Sequence, residues 1–160
     1  MVVLVGPAGA GKSTFALRHF RDSEVLSTDF FRKLVSDSEA DQSATPQAFA
    51  ILRFVAARRL RRGRPTVVDA TNVRRRDRLA LLRLAGRLRR PAVAVVFDLP
   101  LELCLARSLG RGSRPVDPEV IRRHWLAMPR PATALLAEGF AAVHAFSDAA
   151  AVDSAVVTRG

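Results

Sequence analysis

The run Val2-Val3-Leu4-Val5, followed at once by Gly6-Pro7-Ala8-Gly9-Ala10-Gly11-Lys12-Ser13, constrains this chain more than any other stretch of it. Consecutive aliphatic residues suit a strand buried on both faces of a sheet, and the segment after them fits GxxxxGK[ST]. Glycines let such a strand-to-helix turn aim its N–H groups at phosphate oxygens, and the helix start adds orphan donors and the positive end of a dipole. Lys12 supplies a mobile cation for the β- and γ-phosphates, and Ser13 offers a hydroxyl to Mg²⁺. A chance match in a chain this long is roughly one in a couple of hundred. The expected ligands are therefore ATP or another nucleoside triphosphate, with Mg²⁺. Gly6, Pro7, Ala8, Gly9, Ala10, Gly11, Lys12, Ser13 and Thr14 are the expected binding residues.

Periodicity along the rest of the chain predicts an α/β fold. Strands are expected at Glu24 to Ser27, Thr66 to Asp69, Ala92 to Asp98 and Ala142 to Phe146. Helices are expected from Lys12 to Phe20, from an N-cap at Thr45 with Pro46 in the first turn to Arg62, from Arg75 to Leu88, from Pro100 to Gly110, from Pro118 to about Met128 and from Thr133 to Glu138. Between them, Lys33 to Thr45 reads as a polar, mobile loop, and Asp153 to Gly160 as a frayed tail. Strands that alternate with helices imply a parallel sheet covered on both faces, because parallel neighbours need crossover connections. The expectation is a single α/β domain over residues 1–160 with a five-stranded parallel sheet and helices on both faces.

Composition narrows the classes. The 160 residues carry 26 Lys and Arg against 15 Asp and Glu, a formal charge of +11, and 24 of the cations are arginines. A chain of this length buries about 70% of its unfolded surface and needs no staple. The arginine bias reflects either genomic base composition or a polyanionic partner, and charge alone does not separate them. Cys104 is the only cysteine, which excludes an internal disulfide and a cysteine-built zinc site. No apolar run approaches the ~20 residues of a membrane span, and Met1 to Val5 lacks a signal peptide's pattern, so a soluble, cytoplasmic protein is expected.

The phosphate loop serves kinases, GTPases and motor ATPases alike. No NKxD signature reads a guanine, and Val67-Val68-Asp69 is followed by Ala70 where a motor ATPase carries a water-activating acid. Transfer to a hydroxyl instead needs a carboxylate near the γ-phosphate to accept a proton. Asp29 is the candidate, because it follows the second strand at the carboxyl edge, where open α/β sheets bind ligands. Ser27-Thr28-Asp29 also reads as a plain helix cap. Arg32, three residues on, shares the helix face and is placed to hold an anionic acceptor against Asp29.

Together Gly6 to Ser13, Ser27-Thr28-Asp29-Phe30-Phe31-Arg32, Asp41-Gln42-Ser43-Ala44-Thr45, Val67-Val68-Asp69-Ala70-Thr71-Asn72-Val73 and Arg107 to Val120 resemble the 5′-hydroxyl polynucleotide kinase domain of bacterial end-healing enzymes. The resemblance covers most of the chain in order and spacing. It implies transfer of the γ-phosphate of ATP to the 5′-hydroxyl end of DNA or RNA, with Asp29 as general base and Arg32 on the acceptor's 3′-side phosphate. It also implies a P-loop kinase fold with the sheet order 2-3-1-4-5 and an arginine-rich lid at about 107–128, from which Arg107 and Arg111, with Arg114, reach nucleotide phosphates beside Lys12; Thr71, Asn72, Val116 and Val120 are expected at the acceptor site. Arg107 and Arg111 are four apart on one helix face, and guanidinium forks suit a phosphoryl group whose charge is spread over several oxygens. A solvated helix end reads equally well for any one of them.

Several residues admit two readings. Asp69 either holds Mg²⁺ through water or orders a turn in which Asn72 caps the next helix. Val116, Val120 and Ile121 wall an acceptor pocket or pack a helix. Trp125 reads as core packing ahead of base stacking, and His19, His124 and His144 lack metal-ligand spacing. The competing functions are a kinase of a small metabolite or antibiotic hydroxyl and a non-catalytic, nucleotide-gated binding module.

Overall fold

The computed structural model describes residues 1–110 and 116–158. Its strands are β1 (Val2–Val5), β2 (Val25–Ser27), β3 (Val67–Asp69), β4 (Val93–Phe97) and β5 (Ala142–Phe146), all parallel, in the order β2-β3-β1-β4-β5. The helices are α1 (Lys12–His19), α2 (Thr28–Ser36), α3 (Thr45–Arg61), α4 (Arg75–Arg87), α5 (Leu101–Leu109), α6 (Pro118–Leu126), α7 (Ala134–Glu138) and α8 (Ala149–Ser154). This is the expected sheet and the expected order.

Strand alternation divides the core in two. Val3, Val5, Val68, Ala94 and Val96 point to one face and pack with Leu52, Ala56, Leu81 and Leu135 of α3, α4 and α7. Leu4, Val67, Val95 and Phe97 point to the other and pack with Phe15, Cys104, Ile121 and Val152 of α1, α5, α6 and α8. Both sets are almost completely buried, which explains why β1 and β4 read as continuous apolar runs rather than alternating ones.

Three expectations are corrected. The expected loop from Lys33 is helical to Ser36, because α2 is amphipathic: Phe31 and Arg32 are buried while Lys33, Leu34 and Val35 form its solvent side. Asp37 then ends the helix at φ 57°, and Asp41 caps a 3₁₀ turn over Gln42–Ala44 by accepting from Ser43 N at 2.9 Å. That turn runs straight into α3, so Ala44 is the N-cap and Thr45 the first helical residue. Finally, α8 is a helix beyond those expected, with Asp148 accepting from Ala151 N at 2.7 Å and Val152 buried, and it reaches two residues into the expected tail at Asp153 to Gly160.

Candidate phosphotransfer site

The site lies along the carboxyl edge of the sheet. β1 ends in the glycine loop, where Gly9 and Gly11 adopt φ of +80° and +89°. At Gly9 the requirement is also steric, since a Cβ would collide with the carbonyl oxygen of Cys104 on α5. Lys12 opens α1 and is 8% exposed; its Nζ donates to the Pro7 carbonyl at 2.7 Å. Ser13 and Thr14 are exposed on the first turn. Arg107 reaches the loop from α5, its Nη1 3.6 Å from where a Cβ on Gly11 would stand. A cleft of about 240 Å³ opens beside the loop, lined by Gly9, Gly11, Thr14, Phe15, Arg18, Arg107, Val152 and Asp153.

These observations bring Gly6 to Thr14 and Arg107 together as expected. Arg18, Val152 and Asp153 were missed, although Thr14 and Arg18 share a helix face at i,i+4, a signal the sequence does carry. Arg18 Nη1 donates to the Asp153 carbonyl at 3.2 Å, fastening α8 to α1. Arg111 and Arg114 lie outside the described residues.

The segment after β3 braces the loop. Gly6 N donates to the Thr71 carbonyl at 2.9 Å, and Asn72 Nδ2 donates to the Leu4 carbonyl at 2.7 Å. Asn72 is 1% exposed at φ 47° and is not the helix cap: its amide ties β3 to β1. The N-cap of α4 is Arg74, which makes no side-chain cap bond. Arg78, 3% exposed, donates to the carbonyls of Asn72 and Val73 at 2.9 and 2.7 Å and forms a two-pronged pair with Glu138 of α7 at 2.8 and 2.6 Å. Such a pair, fully hydrogen-bonded, holds the segment in one geometry. Asp69 closes β3 beside Ser27 of β2 and is 6% exposed.

Asp29 stands in the first turn of α2, where Ser27 is the N-cap and accepts from Phe30 N at 3.5 Å. Cap and carboxylate are thus different residues. The Asp29 side chain is 56% exposed, while that of Arg32 is 11% exposed. Arg32 Nη2 is ion-paired with Asp29 Oδ1, and its Nε donates to the Glu39 carbonyl at 2.7 Å. Arg32 therefore orients Asp29 and fastens the 37–41 segment.

The 116–128 part of the expected lid is fixed to the body. Val116 is partly buried against the cluster that holds Phe15 and Phe97, on the sheet face opposite to Phe31 of α2. Ile121 is fully buried, and Val120 is half-buried beside it. Trp125 Nε1 donates to the Leu99 carbonyl at 2.9 Å, and Arg130 covers its ring at 4.1 Å, so tryptophan is structural. Burial, then the charges of Lys12, Arg74 and Arg123, push the His124 imidazole below its ordinary range. Burial pushes the Cys104 thiol up, against the opposing charges of Lys12 and Arg107.

The arrangement fits a nucleoside triphosphate with Mg²⁺. The glycine turns leave a concavity, Lys12 and Arg107 supply cations, and the oxygen donors are Ser13 and Asp69. No group of three or more His, Cys, Asp or Glu side chains suited to a metal exists among the described residues. A small oxygen set agrees with Mg²⁺, which keeps its waters and takes phosphate oxygens. No described helix is long and apolar enough to cross a membrane.

Comparison with known proteins follows the same lines. Residues 1–135 match the model of a family described as AAA domain. Over 114 residues the chain is 32% identical to transcription factor bHLH140 of Arabidopsis thaliana, covering 69% of this chain but 11% of that protein. Among solved structures, Kti12 of Chaetomium thermophilum in complex with ADP-AlF3 superposes with a TM-score of 0.69 at 16% identity, over 95% of this chain and 93% of that one. A gluconokinase from Sinorhizobium meliloti gives 0.57 at 17% identity, over 91% and 81%. At these identities the likeness shows a P-loop kinase fold.

Proposed function

The chain belongs to the AAA domain family, and on that premise we propose that it transfers the γ-phosphate of ATP to the 5′-hydroxyl end of DNA or RNA. The observation that carries this reading is Asp29, an exposed carboxylate held by Arg32 on the same sheet edge as the glycine loop. A binding module gated by nucleotide needs no oriented base.

In the proposed reaction, Asp29 accepts the proton of the acceptor hydroxyl as its oxygen attacks the γ-phosphorus, and the bond to the ADP oxygen breaks in line. Loop N–H groups, Lys12 and Arg107 cover the charge that spreads over the migrating group. Mg²⁺, when bound, neutralises β- and γ-oxygens; Ser13 would hold it directly and Asp69 through water. Arg111, Arg114, Thr71 and Val120 complete the proposed phosphate and acceptor contacts.

One observation favours a second reading, a kinase of a small-molecule hydroxyl. Arg32 is engaged with Asp29 and Glu39 rather than presented to an acceptor phosphate. The test is Asp29→Asn: transfer to a 5′-hydroxyl oligonucleotide should fall by about 10³-fold with ATP binding nearly intact. Retained turnover removes Asp29 as the base.

A further inference from the structure

The charge of this protein is not spread over it. Residues 53–90 hold fourteen arginines, no lysine and two acids, Asp69 and Asp77, a formal +12, while all other residues together carry −1. Twelve of the fourteen arginines are exposed. They cover α3, α4 and the turns at their ends. Between the two helices runs a cleft of about 320 Å³ lined by Arg53, Phe54, Ala80, Arg83, Leu84 and Arg87. Arg53, Arg83 and Arg87 are in no ion pair among the described residues. Phe54 is 61% exposed, and Arg58 stands over its ring at 4.9 Å from the centroid.

We propose that this cleft is a docking track for a single nucleic-acid strand, separate from the site of phosphoryl transfer. An unneutralised cluster of this size costs self-repulsion in the free protein, and a polyanion relieves it while releasing its own counterions. Arginine rather than lysine gives planar forks that match phosphate oxygens two at a time. Arg83 and Arg87, one turn apart on α4, stand about 6 Å from each other, suited to successive contacts along one strand. An exposed ring among cations is the stacking element that unpaired bases use, and an acidic protein surface has no counterpart for it. α4 follows β3 directly and so starts at the carboxyl edge, while the cleft residues Ala80 to Arg87 lie on its later turns. The inference stands on this face alone and does not require a nucleic-acid acceptor.

The test is fluorescence anisotropy with a 5′-phosphorylated single-stranded DNA of about 16 nucleotides, which offers no 5′-hydroxyl and so reports docking independently of transfer. The slope of log affinity against log salt should be less steep by about 2 in Arg53→Ala/Arg83→Ala/Arg87→Ala, three contacts at ~0.7 each. Removing equal charge off the cleft, Arg61→Ala/Arg62→Ala/Arg64→Ala, should move it less. Phe54→Ala should weaken binding about tenfold with the slope unchanged. Arg53→Lys/Arg83→Lys/Arg87→Lys keeps the charge and should weaken binding while preserving the slope, a readout available should the alanine variant fold poorly. Equal losses for the two alanine triples, no effect of Phe54→Ala, or tighter binding of a polyglutamate peptide or anionic vesicles would overturn the proposal.

Discussion

The nucleotide side and the proposed acceptor side of this site are built by different means. On the nucleotide side, geometry is fixed by backbone: two left-handed glycines, a carbonyl of Cys104 against Gly9, and the Asn72 and Thr71 braces leave the loop one shape. On the acceptor side, a half-exposed carboxylate is fixed by one charged side chain, Arg32, that also fastens the turn after α2. A backbone cradle serves any triphosphate, so it declares the chemistry and not the substrate. A side-chain shelf is open to change, and under the proposed function substrate choice is made there.

Substitutions on the two sides should separate accordingly. The largest effect belongs to Gly9→Ala, which forces a left-handed φ on a residue with a Cβ and drives it into α5. We expect a loss on the order of 3 kcal/mol in unfolding free energy, together with nucleotide binding, read by denaturation and by titration with ATP. An unchanged stability would mean that the loop is softer than its contacts imply.

Arg32→Ala comes next and should split the two ligands. Asp29 loses its orienting partner, so kcat/KM for the acceptor should fall by about 10 to 100-fold, or roughly 1.4 to 2.8 kcal/mol, with ATP affinity hardly altered. Equal losses for acceptor and ATP would erase the division. Arg32→Lys keeps the charge without the fork that spans Asp29 and the Glu39 carbonyl, and should recover only part of the loss.

The smallest effect is a pH dependence. Because the folded protein holds His124 below the ordinary histidine value of 6.5, it prefers the neutral imidazole. The unfolded chain then binds more protons, so stability is full above the ordinary value and declines as pH falls from there toward the lowered folded value. His124→Gln should flatten this decline in thermal melts. A melt profile that keeps the same slope after the substitution would assign it to other groups.

Legibility in the sequence follows the range of the interaction involved. β1, the glycine loop and the sheet order are local or topological, and a run of β-branched residues ending in glycine announces them. The second half of α2 reads as a loop because its buried anchors, Phe31 and Arg32, precede it and the stretch after it is rich in Ser, Asp and Glu, while Leu34 and Val35 are apolar yet exposed. α8 is short and alanine-rich, without a period to detect. Asn72 has the composition of a cap, yet its partner, Leu4, is 68 residues away, and Glu138 is 60 residues from Arg78. No spacing rule finds such pairs, and they decide which polar residues brace the site and which remain for a ligand.

The central claim is the identity of the acceptor. The direct measurement is transfer of label from γ-labelled ATP by the unmodified protein to a panel of 5′-hydroxyl DNA, 5′-hydroxyl RNA, nucleoside 3′-phosphates, sugars and aminoglycoside-type antibiotics. The account predicts label on the 5′-hydroxyl of the oligonucleotides, lost in Asp29→Asn. Label on a sugar or antibiotic hydroxyl, with none on the oligonucleotides, would contradict it.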